Sequence, residues 1–162
     1  MATVEQQLQS IAALVREQST VALATTGKSG EPCVAPLFYV VDEELTLYWL
    51  SSESSLHSLN LQRTPRAAAT VYRTTENARE ICGVQMRGAA SLIADRARRD
   101  AIVQLYCERF DIGAIYRLAI RQSALYAFRP EWIRFIDNDK RFGYKFEITR
   151  EGGPWRSTRQ QA

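Results

Sequence analysis

Apolar residues recur at helical spacing over residues 3–18, TVEQQLQSIAALVREQ. Leu8, Ile11, Ala12, Leu14 and Val15 share one face, and Thr3 stands at the capping position. The period then falls to two. Residues 20–26 (TVALATT) predict a strand, Gly27 to Gly30 a turn, and residues 33–41 (CVAPLFYVV) a second strand. Pro36 lacks an N–H, so that strand belongs at an edge or a bulge. Asp42 to Glu44 turn the chain into Leu45–Leu50, giving an antiparallel hairpin. A helix follows over 54–63 and stops at Thr64-Pro65.

The second half alternates in the same way. Residues 66–73 and 81–94 read as strands, with Gly83 and Gly88 marking bends or bulges. Residues 95–110 predict a helix capped by Asp95, with Ala101, Ile102, Leu105, Tyr106 and Phe110 inward and Arg96, Arg98 and Arg99 on a solvated face. A short helical segment, 113–120, precedes strands on both sides of Arg129-Pro130. Residues 142–146 are aromatic and expected to be ordered, whereas 151–162 has the composition of a disordered tail. Strands predominate and most links are too short for parallel crossovers. The expected fold is mainly β (α+β by content): one small antiparallel barrel, Greek-key-like, over residues 1–150, with peripheral helices.

One stretch carries candidate chemistry. Leu45–Leu61, LTLYWLSSESSLHSLNL, runs from strand to helix through a serine-rich turn. A helix start offers unpaired N–H groups and the positive end of the dipole, which suits a phosphate. His57, the only histidine, lies one turn in. Serines also cap helices with no further role.

Composition narrows the classes. The net charge of +3 is uneven. Residues 1–80 hold six Lys/Arg against nine Asp/Glu, and residues 81–162 hold fifteen against nine. A modestly basic half suits an anionic small ligand, but no basic stripe interleaved with aromatics points to nucleic acid. No apolar run approaches the ~20 residues of a membrane span. The first ten residues show no secretory pattern, so a cytoplasmic location is expected. Cys33, Cys82 and Cys107 read as reduced, packed thiols, with Cys82 the most plausible reactive one. One histidine and no CxxC pair leave no usual metal site.

The order and motifs resemble the flavin-binding split-barrel superfamily, the pyridoxamine 5′-phosphate oxidase-like proteins, from about Val4 to Lys145. The pieces are Pro32–Glu44, Leu45–Ser52, the helix start Ser54-Ser55-Leu56-His57 and the stop Thr64-Pro65-Arg66-Ala67. GVQMRG (83–88), CERF (107–110) and IRFIDNDKRFGYK (133–145) look nearer to the YhbP-like branch, short bacterial proteins of unassigned function.

This resemblance implies a homodimer with two FMN sites at its interface and the phosphate at the strand-to-helix junction. Carried over, Pro36, Leu37 and Phe38 would line the flavin ring, and Leu50 and Ser51 would offer it backbone bonds. Ser55 and His57 would meet the phosphate, and Gln85 the ring or ribityl chain. Trp132 or Lys145 would reach the partner's site. Where such proteins commonly place Arg or Lys beside the serine pair, this chain has Leu56; Arg73 or Arg87 would then compensate. An FMN-dependent oxidoreductase acting on a small molecule is the leading expectation, its catalytic residues unassigned. The alternatives are a flavin- or haem-binding module without turnover, a deazaflavin in place of FMN, and a structural dimer that has lost its cofactor.

Overall fold

The computed structural model describes residues 2–113, 119, 120 and 122–161, the side chains of 159–161 excepted. Helix α1 (Val4–Glu17) opens with a capping box in which Thr3 and Gln6 exchange bonds. Strands β1 (Thr20–Thr26) and β2 (Pro32–Phe38) follow. The chain then splits at Tyr39: β2 pairs with β1, while β3 (Val40–Val41) pairs with β4 (Leu47–Ser51). The stretch read as one strand over 33–41 therefore serves two partners. The buried Tyr39 holds the switch, donating its hydroxyl to the carbonyl of Val15.

Helix α2 (Leu56–Arg63), β5 (Arg66–Tyr72), β6 (Cys82–Leu92), α3 (Arg96–Arg109), β7 (Ala124–Asp137), β8 (Lys145–Thr149) and β9 (Arg156–Gln161) complete the order. All pairings are antiparallel within one nine-stranded sheet whose main path is β2-β1-β5-β6-β7-β4-β3. β7 is long enough to pair with β4 along its first half and β8 along its second, so the sheet curls without closing. β2 is an edge strand, and Pro36 sits on it as expected. Gly88 marks a real bulge: the β6–β7 register slips between Arg87 and Gly88, which faces Pro130. Gly83 lies in regular ladder.

The inward side packs a core that includes Ile11, Leu23, Trp49, Val84, Phe128, Ile133 and Phe146. A second, smaller core lies on the other side of β3, β4 and β7, where α3 covers Val40, Tyr48, Leu125 and Ala127 with Ile102, Tyr106 and Phe110. α3 thus differs from its expected helical wheel, since Ala101 and Leu105 stay exposed. Asp95 caps the helix as expected. Arg96 and Arg98 are exposed, as a solvated face requires, although Arg98 also donates to the Tyr48 hydroxyl. Arg99 differs: it is half-buried and donates to the carbonyls of Ile120 and Ser123.

The tail expected to be disordered returns instead as β9 along β8. Trp155 packs against the core and lies 4.6 Å beneath the Arg150 guanidinium, and Ser157 accepts a bond from buried Gln7. Phe142, expected to be ordered against the barrel, is 79% exposed at a turn, whereas Phe146 is buried. Most of the predicted helix at 113–120 lies outside the described residues. Among the described residues, no helix is long and apolar enough to cross a membrane.

Candidate functional site

Two groups of the predicted site residues come together. The first is the strand-to-helix junction. β4 delivers Ser51 at its last position, and the turn brings Ser55 back beside it, the two hydroxyls 3.1 Å apart. His57 Nε2 lies 2.8 Å from Ser51 Oγ and 3.0 Å from Ser55 Oγ, and Ser55 Oγ donates to Ser58 Oγ at 2.8 Å. Burial holds the pKa of His57 below its ordinary value, so the ring favours its neutral form.

Ser55 occupies the N-cap position of α2, yet its side chain makes no capping bond. The helix's own ladder begins with Leu59 N–H to Ser55 C=O. The N–H groups of Leu56, His57 and Ser58 therefore have no intrahelical acceptor. An ordinary serine cap would have filled part of this space; here the hydroxyl is turned to the imidazole instead. The result is a cluster of backbone N–H groups and polar side chains at the positive end of a helix, the chemistry of an anion seat. α2 is fixed over β1 by the buried Asn60, whose amide donates to Thr25 Oγ1 at 3.0 Å.

The second group lies on the outward face of the sheet. Registers across the strands place Val34, Ala24, Ala68, Arg87, Trp132 and Thr149 in one row, and Pro36, Ala22, Thr70, Gln85, Arg134 and Glu147 in the next. The face is shallowly concave, with a depression of about 510 Å³ floored by small and apolar side chains. At its rim Arg87 lies 4.0 Å over the Trp132 ring, and Arg134 lies 5.3 Å from the same ring. Glu147 fixes this wall, accepting from Arg134 at 2.7 Å and from Trp132 Nε1 at 3.2 Å.

The remaining predicted residues are dispersed. Leu37 turns inward onto the core, Phe38 is 55% exposed and meets Phe110 edge-on at 5.2 Å, and Leu50 joins the smaller core. Lys145 starts β8 opposite Ile136. Arg73 pairs with Glu17 at 2.9 Å, beside Cys82 at the end of β5 away from the bulge. Cys82 is buried, and desolvation raises its pKa, which makes it a packed thiol. Sequence reasoning missed Ser58, the alanine floor and the Arg134–Glu147 wall. The signal available was the run of small residues at alternate positions of TVALATT and RAAATVY.

Known proteins bear on this arrangement. The family model described as pyridoxamine 5′-phosphate oxidase matches residues 8–137. The UPF0306 protein of Klebsiella pneumoniae is 28% identical over 150 residues, covering 90% of this chain and 97% of that one. Rv2991 of Mycobacterium tuberculosis superposes with a TM-score of 0.72 at 20% identity, over 86% of this chain and 87% of that one. HutZ of Vibrio cholerae, a haem storage protein, superposes at 0.64 with 21% identity, over 76% and 89%. At such identities the structural likenesses carry the fold alone, and the fold is the split barrel. With the family model spanning most of the sheet and the junction itself, the chain belongs to the pyridoxamine 5′-phosphate oxidase family.

Proposed function

We propose that this chain binds FMN as a homodimer and serves an oxidation or reduction of a small molecule. One observation carries the reading: the start of α2 lacks a side-chain cap while Ser51, Ser55 and His57 converge on it. A phosphomonoester fits that set, because it needs several donors and no acceptor. Ser51, Ser55 and His57 would hold the phosphate. Pro36 and Gln85 share one row of the outward face and would stand along the ring and ribityl chain. Bound flavin supplies the electron chemistry, and the chain supplies position, desolvation and charge. The uncovered small-residue face supports the dimer, since a second copy packed there would bury it.

Haem binding is supported by the likeness to two haem proteins, HutZ and a haem-binding protein of Mycobacterium smegmatis. His57 is the chain's only histidine, and as an iron ligand through Nε2 it would have to give up both serine hydroxyls. The FMN reading is therefore preferred. The test is spectroscopic titration of purified protein with FMN, riboflavin and haemin. FMN is expected to bind more tightly than riboflavin, and Ser55→Ala with His57→Ala to weaken FMN by about 2–4 kcal/mol. A protein that ignores FMN and takes haemin would replace this reading with the second one.

A further inference from the structure

We infer that phosphate binding at the junction is coupled to protonation of His57, so that the cofactor's phosphate is held tightly only while that ring is charged. The inference rests on the FMN reading and concerns how this chain, with Leu56 in the motif, meets a dianion.

The geometry is specific. His57 Nε2 is the side-chain nitrogen within hydrogen-bond distance of both Ser51 and Ser55. Among the described residues, every other partner at the seat is a hydroxyl or a backbone N–H, which carries no full charge. The elements packed against α2 add none: β1 (TVALATT), β2 (PCVAPLF) and β4 (LYWLS) contain no charged residue. Their titratable groups are Cys33, half-buried on β2, and Tyr48, whose hydroxyl is held by Asp42 and Arg98. On the turn, Glu53 is exposed and anionic, which does not help an anion bind. Arg63, at the far end of α2, bonds Asn60. Arg99 donates to the carbonyl of Ser123, next to Ala124, the strand partner of Ser51. Arg117 and Arg121 lie outside the described residues. Arg73 and Arg87, the two compensating candidates, are held by Glu17 and Trp132.

A dianion placed at the seat favours imidazolium, so bound FMN raises the pKa of a group that burial lowers in its absence. By linkage the proton and the phosphate then strengthen each other's binding. Between the free and bound pKa values, affinity for the phosphomonoester should fall about tenfold per unit rise in pH.

The experiment measures FMN and riboflavin dissociation constants from pH 6.5 to 9, where the FMN phosphate is largely dianionic (its second pKa is about 6). The ratio isolates the phosphate's contribution. It should drop with rising pH in the parent and stay flat in His57→Lys, whose ammonium remains charged over most of this range. His57→Gln should give a flat, low ratio. The single imidazole also gives one histidine Hε1 resonance, whose titration midpoint should rise on adding FMN. A parent that prefers FMN by a pH-independent factor, with an unmoved imidazole midpoint, overturns the inference and leaves the FMN reading standing. A parent that never prefers FMN to riboflavin overturns both.

Discussion

A Cβ on Gly88 would stand 2.0 Å from the carbonyl oxygen of Arg129. The contact sits at the β6–β7 bulge, where Glu131 is left without a ladder partner and Pro130 needs none for its nitrogen. Since the obstacle is backbone, no rotamer change relieves it. Gly88→Ala is therefore expected to cost about 2–3 kcal/mol or more, read as a lower urea midpoint. Gly83→Ala meets the Cβ of Tyr72 at 3.0 Å and should cost less. Equal losses at the two sites would mean that the bulge is not what fixes Gly88.

The ligand-free protein should lose stability on acidification through the same histidine that the phosphate would charge. Burial places the folded pKa of His57 below its ordinary value, so the unfolded chain binds the proton more readily. The stabilising contribution is fully present above about pH 6.5, the unfolded value, and is lost as pH falls through the folded pKa. In His57→Gln this component of the pH dependence should vanish. Denaturation midpoints from pH 8 to 5 measure it; parallel curves for parent and variant would show that the ring does not titrate differently on folding.

Truncation after Arg150 should now cost stability. Residues 151–162 are rich in Gly, Arg and Gln, which is why their composition points to disorder. Pairing with β8 and the stacking of Trp155 under Arg150 supply what composition does not reveal. Loss of that half-buried indole alone is worth about 1–2 kcal/mol. A truncated chain with an unchanged melting curve would return the tail to disorder.

These cases show which parts of the molecule were legible. Elements with strong local signals emerged where expected: the Thr3 and Asp95 caps, Pro36 on an edge strand, and the serine turn that gathers Ser51, Ser55 and His57. What failed depends on which faces other elements cover. Strand alternation reads Tyr39, Tyr48, Tyr126 and Phe142 as exposed aromatics and a motive for dimerisation; the three tyrosines are buried, and of the four Phe142 is exposed. Tyr48 points away from the main core, but α3 lies over it, so alternation could not tell its face from a solvated one. The outward rows from Val34 to Thr149 are set by registers between distant strands, and no local pattern encodes those.

That outward face gives the sharpest test of the dimer. Ala24 lies at its floor between Val34 and Ala68, with no cation directly opposite. In a monomer, Ala24→Glu puts its carboxylate in water and costs at most about 1 kcal/mol of strand preference. In a dimer closed over this face, the same carboxylate would be buried against apolar groups without a partner. The expected penalty is about 2–4 kcal/mol, roughly 30- to 1,000-fold in the dimer dissociation constant. Gln9→Glu adds the same charge on the exposed side of α1 and should leave association untouched. Sedimentation equilibrium of the three proteins decides the matter. If the parent runs at its 18.4 kDa chain mass at all concentrations, or if Ala24→Glu dimerises as well as the parent, the partner does not lie on this face.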